Sequence, residues 1–288
     1  MVVVAHPDDE SLGMGGTIAR YASEGVSTSL LTATTGERGR NGSQRGLPAQ
    51  LGALREAELL AASRVLGISE VNCLGYCDGA LDQADPREAI AVIATHIRRF
   101  RPHVVLTFGP DGAYGHPDHI AISQLTTAAI VRAAHTPNTG GSDSIDQPHQ
   151  VSKLYYLAWT KRKWDAYQAA LKKLTSTVDG VERQANSWPE WALTTIIDTA
   201  SHWPTVWRAV RCHETQMSIY HNLHHLSEDH HRALWGSQEF YRAISLVNGG
   251  RRLETDLFEG LRDSESTLQG AHETGKWREA TPQDNRIS

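Results

Sequence analysis

Along the first 135 residues, short aliphatic and β-branched runs alternate with longer stretches whose apolar positions recur every three or four residues, the pattern of βαβ units around a parallel sheet. Strands are expected at Val2 to Ala5, Val26 to Ala33, Glu70 to Leu74 and His103 to Phe108. Helices are expected near Gly15 to Ser23, Ala49 to Leu66 and Pro86 to Phe100, with another starting after Pro117. Leu51, Leu54, Leu59, Ala62 and Leu66 fall on one helical stripe and read as core. The fold class is therefore α/β, with a mostly parallel sheet flanked by helices.

Ligands of open α/β sheets bind beyond the carboxyl ends of the strands. The four predicted strands run into polar loops carrying His6 to Glu10, Thr34 to Gly39, Gly75 to Gly79 and Gly109 to His119, so all four loops should face one crevice. Residues 1–135 form the expected catalytic core, and the turn-forming stretch 136–150 reads as a mobile loop. Patterning resumes in 151–262, with a strand at Val151 to Trp159, a helix at Lys163 to Leu174 and a Trp-rich stretch from Trp188 to Trp207. This second part is expected to cap the core and complete the fold. Residues 263–288 turn polar and read as a flexible tail.

Composition narrows the partners. A chain of 288 residues, 40% hydrophobic and 21% charged, is an ordinary globular protein. A net charge of −5 lacks the basic footprint of a phosphate-backbone binder, so no nucleic acid is expected. The apolar opening Met1 to Ala5 is too short for a signal-peptide core, and no later run approaches the ~18 residues of a membrane span. A cytoplasmic protein without a membrane partner is expected, and a homo-oligomer stays open. Cys73, Cys77 and Cys212 suggest neither a disulfide framework nor a thiolate metal site.

The tripeptide His-Pro-Asp occurs twice, at 6 to 8 and 116 to 118, each beyond a predicted strand. With 15 His and 11 Pro in the chain, chance placement at equivalent points is improbable. Two imidazoles and a carboxylate make a standard catalytic zinc shell with a position left for water, and His6, Asp9 and His119 would supply it. His6 and Asp9 lie three residues apart on a Pro-containing turn and can converge on one ion, leaving Asp8 free as a general base. His116, three residues before His119, would stabilise an oxyanion if protonated, with Asp118 holding it in its charged form. Tyr114, on the Gly-flanked loop, is a candidate helper in proton return. Zn2+ is the expected cofactor, although the same trio can hold Fe2+.

Ala5 to Glu10, Thr35 to Gly39, Arg55 to Glu58, Gly115 to His119 and Cys212 to Gln216 together resemble the PIG-L or LmbE-like family, in order along residues 4 to 216. The resemblance implies a Rossmann-like fold and zinc-dependent de-N-acetylation of GlcNAc-type conjugates. It also extends to amide cleavage in mycothiol-type conjugates, so a small-molecule amino-sugar substrate is expected. Arg55 resembles a family position that meets the sugar or its aglycone. Glu37 and Asp78 sit on loops facing the crevice, and His213 belongs to the late motif; all four are carried as candidate substrate contacts.

Competing signals are weaker. The dense histidines from His221 to His231 form no coherent pattern with a carboxylate and read as a solvated helix or loop. Gly13, Gly15 and Gly16 suggest a dinucleotide fingerprint, but Ile18 stands where its third glycine belongs, and Asp8 to Glu10 would repel a pyrophosphate. A sugar-binding module without turnover would not need a base beside a metal shell.

Overall fold

In a computed structural model, the described residues are 1–39, 47–135, 147–171, 174–178, 180–250 and 252–262. Residues 136–146 of the expected loop and the whole expected tail, 263–288, lie outside them. The chain begins β1 (Val2–Val4), α1 (Asp9–Ser23), β2 (Ser29–Thr34), α2 (Pro48–Leu66), β3 (Glu70–Tyr76), α3 (Pro86–Phe100) and β4 (Val104–Phe108). A four-residue turn of helix, α4 (Gly112–Gly115), leads into α5 (Pro117–Ala133), then β5 (Lys153–Leu157) and α6 (Lys161–Leu171). A hairpin of β6 (Ser176–Val178) and β7 (Val181–Arg183) precedes β8 (Thr195–Asp198), α7 (Trp203–Val210), α8 (Glu228–Trp235) and β9 (Ser237–Ser245).

Seven strands form one sheet in the order β3-β2-β1-β4-β5-β9-β8. The first five are parallel neighbours, while β9 and β8 run antiparallel at one edge. This is the mostly parallel α/β sheet expected from the pattern, and the Rossmann-like fold that the resemblance implies. Residues 151–262 are not a separate layer, because β5 pairs with β4 over five residue pairs and extends the same sheet. Helices α1, α2 and α7 pack together, as do α3 and α5. Strands β1, β2 and β4 are buried along their whole lengths, which explains why their runs are apolar apart from small Ser and Thr residues.

One difference from the expectation has a local cause. Helix α1 starts at Asp9, six residues before the expected Gly15, because Asp8 turns the chain into it directly. Its glycines allow close packing: a Cβ on Gly16 would lie 2.8 Å from the Thr199 Cβ, and one on Gly15 3.3 Å from Val206. The glycine run thus serves the contact of α1 with residues near α7. No described helix is long and apolar enough to cross a membrane.

The sheet order changes direction between β1 and β4: β2 lies on one side of β1, while β4 lies on the other. Such a switch point opens a crevice at the strands' carboxyl ends. Both His-Pro-Asp loops leave from this pair.

Candidate metal centre and active site

Between β1 and α1 the chain turns in four residues, Ala5 to Asp8. The His6 N–H donates to the Asp9 carboxylate at 2.8 Å, and the Asp8 N–H donates to Glu10 at 3.0 Å. Asp8 itself sits at φ 105°, a left-handed conformation costing of order 1–3 kcal/mol for a non-glycine residue. That turn sends neighbouring carboxylates to different partners. Asp9 meets His6 and His119, whereas Asp8 meets Arg55 and Tyr220.

The loop beyond β4 is tied in a comparable way. Ala113 has φ 63°, and the His116 Nδ1 caps α5 by accepting the Asp118 N–H at 3.2 Å. Pro117 then occupies the first helical turn, where it costs no hydrogen bond. Asp118 and His119 are thereby fixed on the first turn of a buried helix, at 0% and 2% exposure.

These loops bring the three expected ligand groups together. The His6 Nδ1 and His119 Nε2 are 3.2 Å apart; the Asp9 carboxylate lies 3.4 Å from the first and 3.3 Å from the second. With zinc bonds of about 2.0–2.1 Å, a tetrahedral shell has ligand separations of about 3.3–3.4 Å. The remaining ring nitrogens have acceptors of their own: the His6 Nε2 faces Asp118 at 3.0 Å and Asp78 at 3.2 Å, and the His119 Nδ1 faces the Gly112 carbonyl at 3.2 Å. Once those outer nitrogens carry the protons, the inner two present only lone pairs to each other. Something positive must lie between them, either a proton or a metal ion.

Electrostatics agree with this demand. Burial opposes charge on His6, but hydrogen bonds to Asp118, Asp78 and Asp9 hold its pKa well above the ordinary histidine value. Burial likewise works to raise Asp9, yet the charges and hydrogen bonds of His119 and His6 hold its carboxyl well below the usual range. His6, His116 and His119 also lie at metal-compatible spacing, as does a further grouping, His6 with Asp78 and Asp118. Ordinary hydrogen bonds already account for the latter. Asp118 accepts the Gly79 and Leu81 N–H groups at 2.7 and 3.1 Å besides His6, and Asp78 accepts the Arg38 N–H at 3.0 Å. Carboxylates so placed can fix which ring nitrogen of His6 carries the proton.

Residues 1–130 match the family model described as PIG-L, GlcNAc-PI de-N-acetylase. A "1D-myo-inositol 2-acetamido-2-deoxy-alpha-D-glucopyranoside deacetylase" of Kineococcus radiotolerans is 34% identical over 92% of this chain and 83% of its own length. The chain belongs to the PIG-L family. A Rhodococcus jostii protein of the same name is 35% identical, over 91% of this chain and 97% of its own. The crystal structure of a conserved protein from Thermus thermophilus, TT1542, is 27% identical with a TM-score of 0.61, covering 86% of this chain and 95% of that one. Family membership makes the chain a deacetylase, a hydrolase acting on amide bonds.

The PIG-L site opens into a cavity of about 580 Å3, reached by all four strand-end loops. His6, Asp8, Arg55, Asp78, Tyr114 and His116 are among its lining, and Trp159, Tyr167 and Tyr220 close it from the second half of the chain. A larger hollow of about 900 Å3 lies between α5 and residues 183–189. None of His6, Asp8, Asp9 or His119 lines it; all four line the smaller one.

Several expectations change on contact with the geometry. Asp118 does not hold a charged His116; it pairs with His6. His116 is neutral, since burial first, and then the neighbouring His119 and His6, push its pKa down to about 3. Its Nδ1 accepts a backbone hydrogen bond, so the proton of the neutral ring sits on Nε2. Glu37 is outside the cavity wall and binds the protein instead, accepting the Asp78 N–H at 2.9 Å and the Thr35 hydroxyl at 3.1 Å. His213 is fully buried on Glu10 at 2.8 Å and stands behind the Asp8 turn rather than in the cavity. Arg55 does line the cavity, yet its guanidinium donates to the Gly36 and Pro7 carbonyls and to Asp8. Tyr220 and Glu10 were not among the expected site residues. Glu10 had a signal in the first motif; Tyr220, in a stretch without periodicity, had none.

Proposed function

We propose that the chain removes the acetyl group from the amine of an N-acetylglucosaminyl conjugate, the GlcNAc-inositol type named for its relatives being the first candidate, with a divalent ion held by His6, Asp9 and His119. The observation that carries this reading is the pair of facing imidazole nitrogens 3.2 Å apart, bordered by the Asp9 carboxylate. Zinc suits two imidazoles and a carboxylate, and Fe2+ is the rival for the same donors. When bound, such an ion supplies Lewis acidity, polarising the amide carbonyl and acidifying water.

The protein's own groups supply the rest. Burial raises the Asp8 pKa while Arg55 pulls it down, a net rise suited to a carboxylate that must take and return a proton. Asp8 takes a proton from the attacking water as its oxygen bonds to the acetyl carbon. As the C–N bond breaks, Asp8 delivers that proton to the amine nitrogen, leaving acetate and a free amino sugar. Neutral His116 donates from Nε2 to the carbonyl oxygen as negative charge grows there. Tyr114 lies against His116 and His119, at ring separations of 5.9 and 5.3 Å, in position to contact the same oxygen or the acetyl group.

Acetate release measured across GlcNAc-inositol, free GlcNAc and bulkier amide conjugates tests the reading. The account expects GlcNAc-inositol to be preferred, turnover to vanish on chelation, and Asp8→Asn to lose about 10²–10⁴-fold in kcat while still binding metal. Metal-independent turnover, or a fully active Asp8→Asn, would overturn it.

A further inference from the structure

Asp8 is held from two halves of the chain. From α2, Arg55 Nη2 lies 3.2 Å from the Asp8 Oδ2; from the far half, the Tyr220 hydroxyl donates to the same oxygen at 2.8 Å. Oδ1 has no hydrogen-bond partner among the described residues, and it is not among their buried unpartnered atoms. It is therefore the oxygen open to the cavity that Asp8 lines.

We infer that Tyr220 is a positioning residue for the reaction: by donating to Oδ2 beside Arg55, it fixes the Asp8 carboxylate so that Oδ1 is the oxygen that exchanges a proton with water and the departing amine. This rests on the reading of Asp8 as the base. The need for a second anchor follows from the geometry. A carboxylate can rotate about its Cβ–Cγ bond, since such terminal torsions are broad. One long contact to Arg55 leaves that rotation loosely held, and Arg55 already spends its guanidinium on Pro7 and Gly36 at 2.6 and 2.7 Å.

The Asp8 N–H is taken by Glu10, whose other oxygen is held by Ser11 and His213, so the backbone of the turn is fixed without Tyr220. What the phenol hydroxyl adds is a hydrogen bond to one carboxylate oxygen. It also makes the base dependent on a residue 212 positions away, just after the segment that Glu58 anchors by accepting the Thr215 N–H and hydroxyl at 2.8 and 2.7 Å.

The test is a double-mutant cycle on the metal-loaded enzyme with Tyr220→Phe and Asp8→Asn, reading kcat, KM and bound metal for each variant. Tyr220→Phe should lower kcat about tenfold while KM and metal content stay at their parent values, the loss expected when a misplaced group leaves its productive geometry. In the Asp8→Asn background the same change should cost nothing further. An unchanged kcat, a rise in KM alone, or a loss that persists undiminished in the Asp8→Asn background would overturn the inference. If Asp8→Asn is itself fully active, it is the base assignment that fails. Should the Phe variant not fold, a fluorinated tyrosine at 220 keeps ring and hydroxyl. A changed kcat at constant KM then supports the inference, and an unchanged kcat contradicts it.

Discussion

At the scale of single residues, the centre is a set of protons placed by neighbours. His6 can offer Nδ1 to an ion only while Asp118 keeps the other proton on Nε2. Asp118→Asn should therefore weaken metal binding about 10- to 100-fold without removing a ligand, as judged by competition with a chelator. The sign of the pH dependence follows from the raised pKa of His6. Without metal, His6 is charged at neutral pH, and an ion must displace that proton. Affinity should rise from about pH 6 to 8 with proton release on binding, measured by calorimetry in buffers of different ionisation heat. A flat affinity over that range would contradict the assignment. His116 behaves oppositely: with its pKa pushed down to about 3, it should remain a neutral Nε2–H tautomer through the neutral range, as nitrogen NMR would show.

At the scale of elements, the edge of the sheet depends on buried ions. Lys153 on β5 donates to the Glu254 carboxylate at 2.7 Å and to the Leu257 and Glu259 carbonyls, while Arg242 on β9 adds a second ion pair to Glu254 at 2.7 Å. Removing Lys153 as Met should cost roughly 3–5 kcal/mol, because Glu254 then loses a buried partner. Although burial works to raise it, hydrogen bonds from Lys153, Asn248, Tyr155 and Thr195 hold the Glu254 pKa down at about 2, against 4.5 for the free group. The contribution is thus complete above about pH 4.5 and fades as pH falls through 2, which acid unfolding of parent and variant would reveal. This edge was hard to read in the sequence. Strand β9 carries Gln238 and Glu239 in buried positions, where they serve Thr17, Gly13 and Thr160. Polar groups spent on capping neighbours erase the alternation that announces a strand. Helix α3, capped by Asp85 and opened by Pro86, was legible to its ends, whereas the start of α1 was masked by the positive φ of Asp8 and by its glycines.

At the scale of the whole molecule, the site exists because the strand order reverses between β1 and β4, bringing loops 113 positions apart into contact at His6 and His119. The duplicated His-Pro-Asp motif made that meeting legible in the sequence, since the residue types able to ligate a metal are local to each copy. The charge state of His116, the inward turn of Arg55 and the contact of Tyr220 with Asp8 were not legible, because each is decided by partners from distant segments. The most direct test is anomalous diffraction from crystals loaded with zinc. A single peak within bonding distance of the His6 Nδ1, the His119 Nε2 and the Asp9 carboxylate is predicted. A peak among His6 Nε2, Asp78 and Asp118, or none in this crevice, would contradict the account.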